Sequence, residues 1–140
     1  MPAAKRYYVD TSAYVCLLLG EKGSERLERE LSGAFLLSSV VMVLEARRNL
    51  VRLSRAGVIS PADFNACLLR MEDDLELFLL RDLTLDLCAS KTMPVISTPR
   101  SLDLAHLRTA VWFHEREPLT RFVTLDRDQE QAAVEMGLPV

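Results

Sequence analysis

The sequence predicts the α/β class: one domain, residues 1–140, with a parallel β-sheet of four to five strands flanked by helices on both faces. Short apolar runs such as "YYV" at 7–9 and "AFLL" at 34–37 alternate with segments whose apolar residues recur at helical spacing. Strands that are apolar on both faces and separated by helices are typical of a covered parallel sheet. No linker divides the chain, and its 49% hydrophobic and 26% charged residues are ordinary for a globular protein.

Each element has its own signal in the sequence. Apolar runs predict strands at 7–9, 34–37, 77–80 and 121–125, and we read "LPV" at 138–140 as the stub of a fifth. Helical spacing predicts helices at 12–19, 24–31, about 40–56, 61–75, about 83–90, about 98–115 and 129–136. The expected N-terminal caps or first turns are Thr11 or Ser12, Ser38–Ser39, Ser60–Pro61 and Thr98–Pro99. The glycines expected to end helices are Gly20, Gly33, Gly57 and Gly137.

The charge and the cysteine content of the chain indicate which partners and which cellular compartment to expect. The net charge of −3 gives no general support to a nucleic-acid partner, although a local basic patch would suffice for one. Cys16, Cys67 and Cys88 lie far apart among apolar residues and form no C-x-x-C pair, which predicts buried, reduced thiols rather than a zinc site. We find no signal peptide and no apolar run long enough to span a membrane, so we expect a cytoplasmic location and no membrane partner.

Four acidic residues lie at positions that are not typical of solvent-exposed carboxylates. Asp10 and Asp126 each follow a predicted strand, whereas Glu45 and Asp103 lie among apolar residues near the starts of predicted helices. In a parallel sheet these positions all face one rim, at the carboxyl ends of the strands, where such folds form their sites.

Each acid also has a structural explanation when it is taken alone. An Asp after a strand is often only a helix cap, which would account for Asp10 and Asp126. Glu45 could pair with Arg48 or Asn49 along its helix. Asp103 could simply favour the positive end of the helix dipole.

Taken together, the four acids indicate a metal site. Carboxylates on one rim repel each other, which raises their pKa values and reduces stability. A hard divalent cation removes that penalty, and Mg²⁺ and Mn²⁺ prefer oxygen ligands. The pattern therefore predicts one or two such ions, held where a phosphate could bind.

Four segments carry a resemblance to a known family: "YYVDTSAYV", "SSVVMVLEARRNL", "SLDLAHLRTAVWF" and "FVTLDRDQEQAAVEMGLPV". In order and spacing they resemble the motifs of PIN-domain proteins, and they are most similar to the VapC toxins of bacterial toxin–antitoxin pairs. The resemblance runs over nearly the whole chain and implies a single PIN-like domain. It implies that Asp10, Glu45, Asp103 and Asp126 are the catalytic, metal-binding acids.

The same resemblance implies a function. It predicts a Mg²⁺- or Mn²⁺-dependent endoribonuclease in which the ion polarises the scissile phosphate and activates a water molecule. It also implies an RNA substrate, a cognate VapB-type antitoxin and a homodimer. The alternative is a catalytically silent PIN-fold module that serves binding or assembly.

Several neighbouring residues are secondary candidates. Thr11 and Ser12 could orient Asp10, and Thr124 could do the same for Asp126; the alternatives are capping and strand propensity. Asp128 could be an outer acid of the site, but we favour it as the N-cap of the last helix. For His106 and His114 we favour packed or hydrogen-bonded roles over proton transfer.

Arginines of the helix that contains Glu45 could extend the site. Arg48, Arg52 and Arg55 fall on the same side of that helix as Glu45. They could form a phosphate track, in which Arg48 and Arg52 are the RNA-contact candidates, or merely a solvated face with an internal ion pair.

Other enzyme classes lack their required residues. An aspartate-based phosphatase needs a second acid two residues after the first, where this chain has Ser12. A dinucleotide-binding protein needs G-x-G-x-x-G, which the sequence does not contain.

Overall fold

A computed structural model describes residues 2–91, 93–97 and 100–140. In this part of the chain four strands form one sheet: β1 (Arg6–Val9), β2 (Phe35–Ser39), β3 (Phe78–Arg81) and β4 (Arg121–Val123). The helices of the described residues are α1 (Thr11–Leu19), α2 (Ser24–Leu31), α3 (Val41–Arg55), α4 (Pro61–Leu75), α5 (Leu85–Cys88), α6 (Ser101–Arg116) and α7 (Arg127–Glu135).

The sheet is parallel throughout, in the order β3-β2-β1-β4. The chain therefore builds outward from β1 to β3 on one side and returns to place β4 on the other side of β1. This reversal of direction lies beside β1 and β4, and the carboxyl ends of strands at such a point form the usual binding crevice. The predicted fold class is confirmed.

Helices cover both faces of the sheet because alternate strand residues point to opposite sides. On one face Tyr7, Val9 and Val123 pack against residues of α1, α2, α3 and α4. On the other face Tyr8 and Phe122 pack, with their rings stacked 5.3 Å apart, against residues of α6 and α7. Burial of two apolar layers holds the strand ends in fixed positions, which is what a site at the rim requires.

Helix starts differ in part from the predictions. The α1 cap is Asp10, whose carboxylate accepts a hydrogen bond from the Ala13 N–H, so the assignment to Thr11 or Ser12 was wrong. Ser38 and Ser39 belong to β2, although Ser39 Oγ still accepts from the Val41 N–H at the start of α3. Ser60 and Asp63 form the expected capping box of α4. The predicted helix start at Thr98–Pro99 lies outside the described residues.

The last strand and the C-terminal segment also differ. β4 ends at Val123 rather than at residue 125. The Leu125 N–H donates to Ser12 Oγ and the Asp126 N–H donates to Thr124 Oγ1, so these two backbone groups form hydrogen bonds with side chains instead of with the neighbouring strand. Residues 138–140 form no strand, so the expected fifth strand is not found in the described part of the chain. The Pro139 carbonyl nevertheless accepts a bond of 2.7 Å from the Phe122 N–H at the edge of β4.

The three cysteines differ in their exposure, and the helices can be compared with what a membrane span requires. Of the three cysteines, Cys16 is buried, Cys67 is half-buried and Cys88 is exposed, so burial was predicted correctly only for the first. Among the described residues, no helix has both the length and the apolar character needed to cross a membrane.

Candidate functional site

The site lies where β1 and β4 end side by side. The Asp10 N–H donates to the Val123 carbonyl at 3.1 Å, which is the last backbone bond between these two strands. Beyond it, the chain turns from each strand directly into a helix, with Asp10 before α1 and Asp126 before α7. Both strand-end acids are thereby fixed by backbone geometry on the same rim.

Asp10 is a buried carboxylate, with 4% of its surface exposed. Its Oδ1 accepts hydrogen bonds from Ser12 Oγ at 2.7 Å and from the Ala13 N–H at 3.1 Å. Burial raises the pKa of Asp10, and this effect outweighs the lowering by the charge of His106 and by hydrogen bonds from Thr124, Ser12 and Ala13. The repulsion between acids expected from the sequence is not among these causes; loss of hydration is the first.

Two hydroxyl groups connect the strand ends. Ser12 Oγ, which donates to Asp10, lies 3.2 Å from Thr124 Oγ1, and Thr124 Oγ1 accepts from the Asp126 N–H at 3.1 Å. Thr124 therefore supports Asp10 and the backbone of Asp126 rather than the Asp126 carboxylate that we had predicted. A continuous chain of polar contacts joins Asp10 to Asp126.

Glu45 reaches this rim from α3. Its Oε1 accepts from Thr11 Oγ1 at 2.7 Å and contacts His106 Nε2 at 2.9 Å. Burial acts to raise the pKa of Glu45, but the hydrogen bonds of His106 and Thr11 and the charges of His106 and Arg48 lower it below its ordinary value. Thr11 thus orients Glu45 instead of Asp10, and the expected partner Asn49 donates to the main-chain carbonyl of Glu45 rather than to its carboxylate.

Asp103 and Asp126 share a cation. Arg100 Nε lies 3.3 Å from Asp103 Oδ2, and Arg100 Nη2 lies 3.9 Å from Asp126 Oδ2. The other oxygen of Asp126 caps α7 through the N–H groups of Asp128 and Gln129, so the structural role predicted as an alternative for Asp126 is present. Capping uses Oδ1 and leaves Oδ2 facing Arg100, so the two roles are compatible.

The remaining candidates lie further out. Asp128 is exposed in the first turn of α7, and it is not the N-cap that we had favoured because Asp126 takes that place. Arg48 and Arg52 are both exposed on α3. The charge of Arg48 reaches Glu45, whereas Arg52 Nη2 donates to Asn49 Oδ1 at 3.3 Å.

The donor set can be compared with what Mg²⁺ requires. Among the described residues, no three acidic, histidine or cysteine side chains lie close enough together to enclose a metal ion. Mg²⁺ is commonly held by one or two carboxylates and several waters, so the oxygen donors of this rim fit that mode. Gln129 lies next to this donor set: its backbone N–H donates to Asp126 Oδ1 at 3.2 Å, and its buried Oε1 has no hydrogen-bond partner among the described residues.

Three residues that contact the acids of the site or their partners were not predicted from the sequence. Tyr8 contacts the site through its hydroxyl, 2.8 Å from His106 Nδ1; Arg100 bridges two acids; and Gln129 Nε2 donates to the Asp103 carbonyl at 3.0 Å. Arg100 carried a usable signal, because it lies three residues before Asp103 at a helix start. Tyr8 carried none, since the apolar run at 7–9 predicts only that it is buried, and Gln129 carried none because it is one of several polar residues at the start of a predicted helix.

No protein-family model matches this chain, and no curated protein sequence matches it significantly.

Proposed function

We propose that this protein is a divalent-cation-dependent nuclease that hydrolyses RNA internally. The observation that carries the proposal is the polar chain from Asp10 through Ser12 and Thr124 to Asp126, at the point where the order of the strands reverses. It keeps a buried carboxylate and a half-buried one on a rim that Glu45 and Asp103 also reach. Burying carboxylates is costly, and this cost supports the proposal that the rim binds a cationic ligand.

Within this class, the sequence motifs favour a PIN-domain ribonuclease of the VapC type. Asp10, Glu45, Asp103 and Asp126 would hold one or two Mg²⁺ or Mn²⁺ ions, either directly or through metal-bound waters. The ion when bound supplies Lewis acidity toward the phosphate and lowers the pKa of a water molecule. Thr11 orients Glu45, and Ser12 orients Asp10. Arg100, which contacts both Asp103 and Asp126, would give up these contacts when the acids hold a cation and would then pair with an RNA phosphate.

The approach of RNA is proposed along α3. Arg48 and Arg52 are exposed on the helix that delivers Glu45, one turn apart and leading away from the rim. Their charges would compensate the local excess of acid and contact the phosphate backbone. Since the net charge of the chain is −3, binding depends on this local patch rather than on the whole surface.

Partners follow from the same proposal. We propose a homodimer that pairs with a VapB-type antitoxin in the cytoplasm. An antitoxin arginine would restrain the enzyme by pairing with two carboxylates of the rim. Arg100 makes a similar contact with Asp103 and Asp126 within the chain, which supports the stereochemistry of this restraint.

A second candidate is a PIN-fold module without catalytic activity. It is favoured by one observation, that no three potential ligands lie together in the described residues. In this reading Asp10 and Asp126 act only as the helix caps that they form.

Cleavage of a structured RNA decides between the two candidates. The nuclease should cut internally with Mg²⁺ or Mn²⁺ and stop in EDTA, and Asp10→Asn should lose most of the activity. Asp73→Asn is the matched control, because it makes the same change on an exposed side chain of α4, outside the candidate site, and should retain activity. Equal activity of both variants, or activity in EDTA, would exclude the nuclease; a purified wild type that binds Mn²⁺ neither with nor without RNA would favour the silent module.

A further inference from the structure

His106 occupies the centre of a buried polar network beneath the site. Its ring is 2% exposed and contacts three side chains: Tyr8 Oη at 2.8 Å from Nδ1, Thr11 Oγ1 at 2.8 Å from Nε2, and Glu45 Oε1 at 2.9 Å from Nε2. Tyr8 is fully buried and packs edge-on against the ring, with centroids 5.8 Å apart. Both ring nitrogens are therefore hydrogen-bonded and the ring orientation is fixed.

The proton positions in this network follow from its acceptors. Glu45 is a carboxylate and only accepts. Thr11 has one hydroxyl proton and donates it to Glu45 Oε1 at 2.7 Å, so toward His106 its oxygen can only accept. His106 Nε2 must then carry a proton, whether the ring is neutral or charged, and a neutral ring accepts from the Tyr8 hydroxyl at Nδ1.

The burial of His106 excludes a direct role in the reaction. A ring that is 2% exposed, with both nitrogens engaged by side chains of its own protein, does not meet an RNA chain on the surface. What the ring does touch is Glu45, the candidate ligand that has the longest side chain and the most torsional freedom of the four acids. Fixing such a side chain costs conformational entropy unless the fold has already fixed it.

We propose that His106 is a positioning residue, which together with Thr11 holds Glu45 Oε1 and leaves Oε2 to the divalent cation, and that Tyr8 acts on the cation site through the tautomer of His106. This inference rests on the proposed function of the same rim. Partners of this kind, one contact removed from the ion, typically change metal affinity by about ten- to a hundredfold when they are lost.

The order of contacts makes a distinctive prediction. Among the hydrogen bonds of the described residues, Tyr8 is linked to Glu45 by way of the His106 ring, because its hydroxyl contacts Nδ1 and the carboxylate contacts Nε2. Removal of the Tyr8 hydroxyl should therefore matter only while His106 is present. A residue that acted through general packing would show no such dependence.

The experiment measures Mn²⁺ affinity of the folded protein by calorimetry and by the electron paramagnetic resonance signal of free Mn²⁺. His106→Leu should weaken binding by about ten- to a hundredfold. His106→Gln, whose amide N–H can replace the Nε2 donor, should restore most of the loss. Tyr8→Phe should weaken binding several-fold in the wild-type background and have no effect in the His106→Leu background.

Tyr14→Phe is the matched control. Tyr14 is also buried, and its hydroxyl donates to Asp74 Oδ2 at 2.9 Å, away from the acids of the rim. This variant loses the same atom and a comparable hydrogen bond, so it should lower stability without changing Mn²⁺ affinity. Thermal melts of each variant establish that the measured fraction is folded.

Ring nitrogen shifts give a readout that does not depend on metal. NMR of ¹⁵N-labelled protein should show His106 with a proton on Nε2, assigned by its loss in His106→Gln. A neutral ring protonated on Nδ1, or a His106→Leu variant that binds Mn²⁺ as the wild type does, would overturn the inference. If the wild type shows the Nε2–H form but binds no Mn²⁺, the proposed function fails while the hydrogen-bond assignment stands, and the positioning role falls with the function.

Discussion

Replacement of Asp10 by asparagine should stabilise the metal-free protein at neutral pH. The pKa of Asp10 is raised by burial even after its favourable hydrogen bonds are counted, so the folded state prefers the neutral form. Ionisation therefore costs stability progressively as the pH rises from about 4 through the raised pKa. Asparagine removes the charge but keeps a side-chain oxygen for the Ala13 N–H.

The expected changes in stability can be estimated from the two roles of the Asp10 side chain, as a helix cap and as a cation ligand. Asparagine and aspartate cap helices about equally well, whereas loss of the cap in Asp10→Ala costs about 1 kcal/mol, or about 3 °C in Tm for a chain of this size. A cation present at about a hundred times its Kd stabilises the wild type by about 2.7 kcal/mol, or about 8 °C. Asp10→Asn should lose that gain, because the carboxylate is gone.

Thermal melts and urea unfolding test both parts. They compare wild type, Asp10→Asn and Asp10→Ala, in EDTA and in millimolar Mg²⁺, at about pH 4 and about pH 7. In EDTA the advantage of Asp10→Asn over wild type should shrink as the pH falls. An Asp10→Asn protein less stable than wild type in EDTA at neutral pH would refute the burial argument; one that keeps the full Mg²⁺ response would refute the role of Asp10 as a ligand.

Two further predictions concern the neighbouring acids. The lowered pKa of Glu45 contributes stability above about pH 4.5 that is lost as the pH falls through the folded-state pKa. Urea unfolding across this range should therefore find Glu45→Gln less stable than wild type at neutral pH only, and a deficit that persisted in acid would show that its charge is not responsible. Arg100→Gln should tighten Mn²⁺ binding in calorimetry, since Arg100 competes for Asp103 and Asp126; unchanged or weaker binding would show that the cation does not take its place.

The architecture could be predicted from the sequence because its signals are local and repeated. Alternation of apolar runs with helical spacing is enough for an α/β sheet, and the positions of Asp10 and Asp126 after strands indicated the rim. The ends of elements were less predictable. β4 is short because hydroxyl groups of Ser12 and Thr124 compete for its backbone N–H groups, and such competition depends on two segments meeting in space.

The partners of each acid could not be predicted for the same reason. From spacing alone, Thr11 was assigned to Asp10, its nearest neighbour, yet it turns to Glu45, which is 34 residues away in the sequence. His106 was correctly expected to be hydrogen-bonded, but the identity of its partners depends on how α6 lies across β1 and α3. The local sequence pattern predicts which face of a helix or strand a residue lies on, whereas its contacts with residues distant in the sequence depend on the tertiary fold.

The chemical ends of the RNA products test the central claim most directly. If water is the nucleophile at a cation-assisted site, internal cleavage in Mg²⁺ or Mn²⁺ should leave a 5′-phosphate and a 3′-hydroxyl, because the 2′-hydroxyl takes no part. A ribonuclease that used His106 as a base would instead activate the 2′-hydroxyl and leave a cyclic phosphate. Products with 5′-phosphate ends, formed only with the cation and absent with Asp10→Asn, are the predicted result; a 2′,3′-cyclic phosphate, or any cleavage that persists in EDTA, would contradict it.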